Sequence, residues 1–259
     1  MTRDQMDKLI RSWMEEAAVM IKESFKTTLT IEIKSDRNDL VTNMDKKIEQ
    51  FLIEKIRSNF LDDRILGEEG YGDKIEDLVG RVWIIDPIDG TLNFVKQQAN
   101  FAIMIGVYQD GEGQMGYIYD VMAGEFYWAI AGEGAYLNGN PLPKVADIEL
   151  QEGLIALSSG VFSSDKYKAK ELVRGSSGLR MLGSAGIETV HVAAGRLVAY
   201  ITHRLQPWDM AAGKVIAEEL GLVYTQINGD PVNLLQQNAT IVATPIAHKE
   251  ILTNYLVDI

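Results

Sequence analysis

The chain has 259 residues, 46% of them apolar, a formal net charge of -12 and no cysteine. That apolar content can bury the core of one large α/β unit or of two halves sharing a core, while the missing cysteines exclude disulfides and thiolate metal sites. The acidic balance excludes general binding to nucleic acid or anionic membrane, which needs clustered Lys and Arg.

No charged segment followed by an apolar one opens the chain, and no stretch approaches the roughly 18 apolar residues of a membrane span. A soluble, cytoplasmic protein is expected. A small anionic substrate fits such a chain if a bound metal reverses the local field.

Met6, Leu9, Ile10, Trp13, Met14, Ala17, Ala18 and Ile21 recur at helical spacing, predicting a helix over about 4–25. The stretch TTLTIEIKSDRNDLVTN alternates weakly from Leu29 to Ile33 and loses periodicity from Lys34 to Asp39, as a short strand or hairpin and a mobile loop would. Thr42 or Asn43 can cap a second helix carrying Met44, Ile48, Phe51, Leu52 and Ile56. From Arg64 the pattern turns to short apolar runs bounded by glycine, and the run from Phe101 to Gly139, with turns at 110–113, 123–124 and 132–134, predicts an antiparallel meander. The second half alternates: strand 153–158, helix 164–173, strand 179–182, helix 185–195, strand 197–202, helix 208–220, strands 222–227 and 240–244, helix 246–257. Two α/β layers follow, with no linker between them and no internal repeat. The segment 72–80 reads as an exposed acidic connection.

The stretch WIIDPIDGTLNF at 83–94 concentrates the chemistry. Val82 to Ile85 is a buried strand with Asp86 at its C-terminal mouth, where ligand sites of open sheets gather. Pro87 then turns the chain, Asp89 lies around that turn, and Gly90 permits a tight backbone. Taken alone, D-P-x-D-G is as readily a strand followed by an ordinary turn. If both carboxylates face one cleft, a cation between them relieves their repulsion. Oxygen ligands without Cys or clustered His point to Mg²⁺. Thr91 and the N–H groups near Gly90 open a short helical turn suited to phosphate. His191, His203 and His248 lack ligand spacing and read as structural or surface residues.

The string WIIDPIDGTLNF resembles the signature of the inositol monophosphatase family of Mg²⁺-dependent, lithium-sensitive phosphatases. GEEG (67–70), DLVTNMD (39–45) and PWDMAAG (207–213) resemble its other motifs, in order and across nearly the whole chain. The resemblance implies a layered αβαβα sandwich in one chain, with halves of about 1–145 and 146–259, the active site between them, and a homodimer. It implies two to three Mg²⁺ ions: Glu68, Asp86, the Ile88 carbonyl and Thr91 on the first, Asp86, Asp89 and Asp209 on the second, Glu68 and waters on a weaker third. Glu68 and Thr91, the latter paired with Asp45, match the groups that activate water. Asp89, Gly90, Thr91 and Asp209 border the phosphate, Gly183, Ser184 and Ala185 meet substrate hydroxyls, and the 34–45 segment brings Lys34 and Asp45 toward the cleft. Four acids, Glu68, Asp86, Asp89 and Asp209, would repel a phosphate dianion, whereas two Mg²⁺ neutralise them and a third makes the site positive.

Inositol-preferring members carry a glutamate seven residues before the aspartate of the Trp-Asp pair. Here that position is Thr202, which cannot act as a charged double acceptor. Arg204 nearby suggests a more anionic substrate as an alternative to inositol, while the metal chemistry is left intact. The expected function is hydrolysis of myo-inositol 1-phosphate or a similar polyol or sugar phosphate. An NADP(H) 2′-phosphatase, a fructose-1,6-bisphosphatase and, less well matched in chain length, a 3′-phosphoadenosine nucleotidase are the enzymatic alternatives. A scaffold for a transcription or translation partner and a catalytically weak Mg²⁺-binding protein are the others. Tyr127 and Trp128 suit either a core or an interface.

Overall fold

The first helix, α1 (Arg3–Ser24), starts at Thr2, whose hydroxyl accepts from the Gln5 N–H while the Gln5 side chain accepts from the Thr2 N–H. Its buried stripe runs from Met6 through Ile10, Trp13, Met14 and Ala17 to Ile21. Here, in a computed structural model, residues 1–34, 37–38 and 40–256 are described. Ser35, Asp36 and Asp39 of the expected loop, and the expected helix end at residue 257, lie outside them. Strands β1 (Ile31–Ile33) and β2 (Leu40–Thr42) pair antiparallel and lead into α2 (Asn43–Asn59), capped by Thr42.

Seven strands form the first sheet in sequence order: β3 (Arg64–Gly67), β4 (Arg81–Asp89), β5 (Ala102–Gln109), β6 (Glu112–Asp120), β7 (Glu125–Ile130), β8 (Gly134–Leu137) and β9 (Asn140–Pro141). Only the β3–β4 pair is parallel, and β5 to β9 make the expected meander. Helix α3 (Thr91–Gln97) connects β4 to β5. Alternation divides the sheet's side chains: Trp83 and Ile85 pack with the stripes of α1 and α2, Val82 and Ile84 with the opposite face. Tyr127 and Trp128 are both buried, which settles them in the core.

The second sheet has the order β11 (Gly178–Arg180), β10 (Leu154–Leu157), β12 (Ala199–Leu205), β14 (Asn238–Ala243), β13 (Val223–Gln226). Helices α6 (Ala185–Ala193) and α7 (Pro207–Glu219) fill the space between the two sheets, burying Ile187, Val190, Met210 and Ile216 against residues of both. The outer face of the second sheet packs Ile155, Leu157 and Ile241 against α5 (Ala169–Gly175) and α8 (Pro245–Asn254). The layers are therefore α, β, α, β, α, as expected. In place of the one helix expected over 164–173 there is a short 3-10 turn (Lys166–Lys168) followed by α5, and a separate α4 (Ser159–Ser163) precedes them. Positive φ at Asp165, Tyr167 and Lys168 breaks the expected helix, and the Asp165 carboxylate accepts from Lys170 N–H, starting a new helix. No helix among the described residues is long and apolar enough to cross a membrane.

Helix α7 sits unusually close to the first sheet because β5 and β6 present glycine to it. A Cβ on Gly106 would lie 2.8 Å from Ala211 Cβ, and one on Gly116 would run into the Ala212 carbonyl oxygen. Gly116→Ala is therefore expected to destabilise the fold by about 1–3 kcal/mol through overpacking against backbone. That corresponds to a melting temperature lower by several degrees, read by thermal denaturation.

Candidate functional site

Asp86 and Asp89 lie on one continuous strand: β4 runs through Pro87 to Asp89, and the turn expected there does not form. Asp86 pairs with Met104 and Asp89 with Ala102, so three steps along β4 match two along β5. That is a β-bulge. In a regular strand residues i and i+3 face opposite ways; the extra residue returns both acids to one side. Pro87, without an N–H, is tolerated at such a bulge. The Ile88 N–H is taken by Asp86 Oδ1 at 3.0 Å. Gly90 follows at φ 87°, a left-handed conformation that starts α3.

Asp209 arrives from the other half of the chain. It occupies the first turn of α7, where its Oδ2 accepts from the Gln206 N–H at 2.7 Å. The close seating of α7 on Gly106 and Gly116 brings this turn to the bulge. One carboxylate oxygen from each of Asp86, Asp89 and Asp209 then lies within 4.8 Å of the others. Burial raises the Asp86 carboxyl well above the usual range, and repulsion from Glu68, Asp89 and Asp209 adds to it. Burial and repulsion from Asp89 do the same to Asp209. Such an oxygen-only cluster fits a hard divalent cation such as Mg²⁺.

Glu68 lies close enough to this trio for its charge to help raise the Asp86 and Asp209 carboxyls. Lys34 reaches the cleft and pairs with Glu68 at 2.8 Å and Glu69 at 2.6 Å. Beneath this turn is Glu49, an acid that periodicity alone leaves unremarked. It is fully buried, and its carboxylate accepts from the N–H groups of Glu69 and Tyr71 at 2.7 and 2.9 Å. A Cβ on Gly67 would meet this carboxylate at 2.6 Å, so the glycine makes room for it. On the other side, Thr91 Oγ1 is 2.8 Å from Asp45 Oδ1 and 3.1 Å from the Ile88 carbonyl. Asp45 also accepts from the Thr42 N–H and hydroxyl. Burial raises its carboxyl above the usual range, against the opposing pull of Thr42 and Thr91.

Asp89 and Asp209 open onto a cavity of about 620 Å³ whose far wall comes from the second half: Gly183, Ser184, Ala185, Tyr200, Thr202, His203 and Arg204. His203, expected to be structural or at the surface, lines this cavity. Ser184 and Ala185 have a further partner, since the Ser184 hydroxyl and the Ala185 and Gly186 N–H groups all donate to Asp89, 95 to 97 residues away. These bonds tie the start of α6 to the bulge of β4. Gly186 is needed there, because a Cβ would lie 2.7 Å from Met104 Sδ and 3.0 Å from Asp89 Oδ2. Glu188, one turn on, also lines the cavity. Burial pushes its carboxyl up to about 7, although the Leu182 and Gly183 N–H groups oppose the shift. An acid inside the apolar run GIETVHVAA was the one signal that could have marked it.

The model of the family described as "Inositol monophosphatase family" matches residues 2–258 of this chain. The chain is 46% identical to inositol-1-monophosphatase of Bacillus subtilis (strain 168), covering 97% of each chain. It is 32% identical to the Nus factor SuhB of Escherichia coli (strain K12), covering 92% of this chain and 91% of the other. A solved structure of an IMPase/NADP phosphatase complexed with Mg²⁺ and phosphate superposes with a TM-score of 0.91 at 33% identity, over 96% of this chain and 94% of that one.

Proposed function

We propose, for a chain that belongs to the inositol monophosphatase family and is therefore a phosphoric monoester hydrolase, that its substrate is myo-inositol 1-phosphate or a similar small polyol or sugar phosphate. The observation that carries this reading is the convergence of Asp86, Asp89 and Asp209, of which Asp89 and Asp209 line a cavity large enough for such an ester. The opposite wall offers the hydroxyl-bearing side chains of Ser184, Tyr200 and Thr202.

Glu68, Asp86, the Ile88 carbonyl and Thr91 would hold one Mg²⁺, Asp86, Asp89 and Asp209 a second, and Glu68 with waters a third. When bound, Mg²⁺ supplies Lewis acidity that lowers the pKa of water and offsets charge on the phosphoryl and leaving oxygens. The chain's own part is proton handling and positioning. Thr91 Oγ1 donates to Asp45 Oδ1, so its lone pairs can accept a proton from the attacking water as its own passes to Asp45. A buried Asp45 carboxyl, raised above the usual range, is a stronger base for this than a solvated aspartate. Glu68 orients the same water. The Gly90 and Thr91 backbone borders the phosphate at the start of α3, and Gly183, Ser184 and Ala185 border the hydroxyl groups of the substrate. On this reading the two halves, about 1–145 and 146–259, form one catalytic unit. The enzyme works in the cytoplasm as a homodimer and is inhibited by lithium.

A second reading has its own support. Arg204 lines the cavity with His203 and has no acidic partner among the described residues, and Thr202 replaces the ring-gripping glutamate. Both features suit NADP(H) or fructose 1,6-bisphosphate. A scaffold role of the kind the name Nus factor suggests would not require the converged acids.

Mg²⁺-dependent phosphate release from myo-inositol 1-phosphate, NADP⁺, fructose 1,6-bisphosphate and 3′-phosphoadenosine 5′-phosphate separates these readings. Inositol phosphate is expected to lead, with no release when Mg²⁺ is omitted. A lead by NADP⁺ or the bisphosphate moves the substrate to the second reading, and release from none of the four rejects both.

A further inference from the structure

Glu188 has a task that the metal chemistry does not use. It is 1% exposed, yet it lies on the wall of the substrate cavity. Its Oε1 accepts from the Leu182 N–H at 2.7 Å and the Gly183 N–H at 3.3 Å. The Leu182 carbonyl is held from the other side by Asn93 Nδ2 at 2.7 Å. The amides of Ala185 and Gly186 go to Asp89, and that of Ile187 to the Ser184 hydroxyl. Of the six amides from 182 to 187, only that of Ser184 has no acceptor among the described residues. Two carboxylates thus grip one short segment, Asp89 from the metal side and Glu188 from within α6. Glu188, Tyr200 and Thr202 line the same wall of the cavity, opposite Asp89 and Asp209. Apart from Asp89 and Asp209, Glu188 is the only acid among the described residues that lines this cavity. The wall has no glutamate at position 202, and its one remaining carboxylate is spent on the backbone of the neighbouring segment.

We propose that Glu188 is a positioning residue: it pins Leu182 and Gly183 so that the 182–184 backbone, Tyr200 and Thr202 meet the hydroxyl groups of a small polyol phosphate, and it thereby sets KM rather than turnover. The proposal rests on the phosphatase reading above. It gives the departure at Thr202 a physical meaning, since recognition passes from a side-chain carboxylate on β12 to a backbone segment whose geometry a buried carboxylate maintains. A buried amide pair without its acceptor pulls away or takes up water, and the neighbouring donor moves with it.

The test compares myo-inositol 1-phosphate with phenyl phosphate, an ester without free hydroxyl groups, in the full-length Mg²⁺-loaded enzyme. Glu188→Ala is expected to raise KM for the inositol ester about tenfold, the size of one lost hydrogen bond, with kcat within about twofold. KM for phenyl phosphate should move by less than about threefold. Glu188→Gln keeps an oxygen that can accept from both amides and should restore KM to within about twofold. Tyr200→Phe, which leaves the backbone grip intact, should raise KM for the inositol ester about threefold and reports on the wall even if Glu188→Ala does not fold. An unchanged KM in Glu188→Ala, equal losses on both esters, or a Gln variant as impaired as the Ala variant overturns the positioning role. Failure of the wild type to hydrolyse either ester would instead reject the phosphatase reading.

Discussion

Asp86→Asn is expected to lower Mg²⁺-dependent turnover by on the order of 10³-fold or more, and at pH 8 to raise the melting temperature of the metal-free protein. Both effects come from the same crowding. Burial and the neighbouring Glu68, Asp89 and Asp209 make an ionised Asp86 costly when no cation is bound, and a neutral amide of the same shape removes that cost while losing a charged ligand. The Asn side-chain oxygen can still accept from the Ile88 N–H, as Asp86 does at 3.0 Å. Asp89→Asn should lose activity as fully but melt lower. Its carboxylate accepts from the Ser184 hydroxyl and the Ala185 and Gly186 N–H groups, and an amide would face one of those N–H groups with its own NH₂. A mismatched buried donor costs about 1–3 kcal/mol, or roughly 2–4 °C per kcal/mol in a chain of this size. Thermal melts and phosphate release on the two variants check the pair. Retained turnover in both would remove the acids from the reaction, and equal shifts in melting temperature would remove Asp89 from the junction between the halves.

Saturating Mg²⁺ is expected to raise the melting temperature by about 5–10 °C at pH 8, the size of a ligand near 100 times its Kd, and by much less at pH 5. Asp86, Asp209, Asp89 and Glu68 all have carboxyls raised by burial. A raised folded-state pKa means that, without metal, the fold holds protons more tightly than the unfolded chain. That contribution is complete below the ordinary carboxylate range and is lost as pH climbs through the raised values. On the proposed metal assignment Mg²⁺ takes the place of those protons, so it is expected to help most where they have left. Glu188, pushed up to about 7, adds a decline of the same sign near neutrality that Mg²⁺ does not abolish. A differential scan from pH 5 to 8, with and without Mg²⁺, measures both. A Mg²⁺ shift independent of pH would show that the carboxylates are not its ligands.

Local pattern carried much of this molecule. The stripe from Met6 to Ile21, the capping Thr42, the glycine turns of the meander and the acid-rich string at 83–94 can each be read within a window of about twenty residues, because helix and strand periodicity are short-range properties. The pattern alone implied two α/β layers, and the five-layer sandwich followed from the resemblance of the motifs to a known family. The reading failed where two local preferences compete. Pro87 favours a turn, but the ladder to Met104 and Ala102 holds it in a bulged strand, and Asp165, inside the helix expected over 164–173, accepts from the Lys170 N–H and starts a new helix.

What the sequence determined by itself was which elements form and which acids are available. Tertiary structure alone decided which of those acids meet. Asp209 reaches Asp86 and Asp89 because α7 can press against Gly106 and Gly116, and the start of α6 reaches Asp89 across 95 residues of chain. Glu49 and Glu188 are buried only because backbone amides from neighbouring segments converge on them. A carboxylate's environment is set by whatever packs around it in three dimensions, so neither its neighbours in the chain nor its helical phase discloses whether water or a ring of amides will surround it.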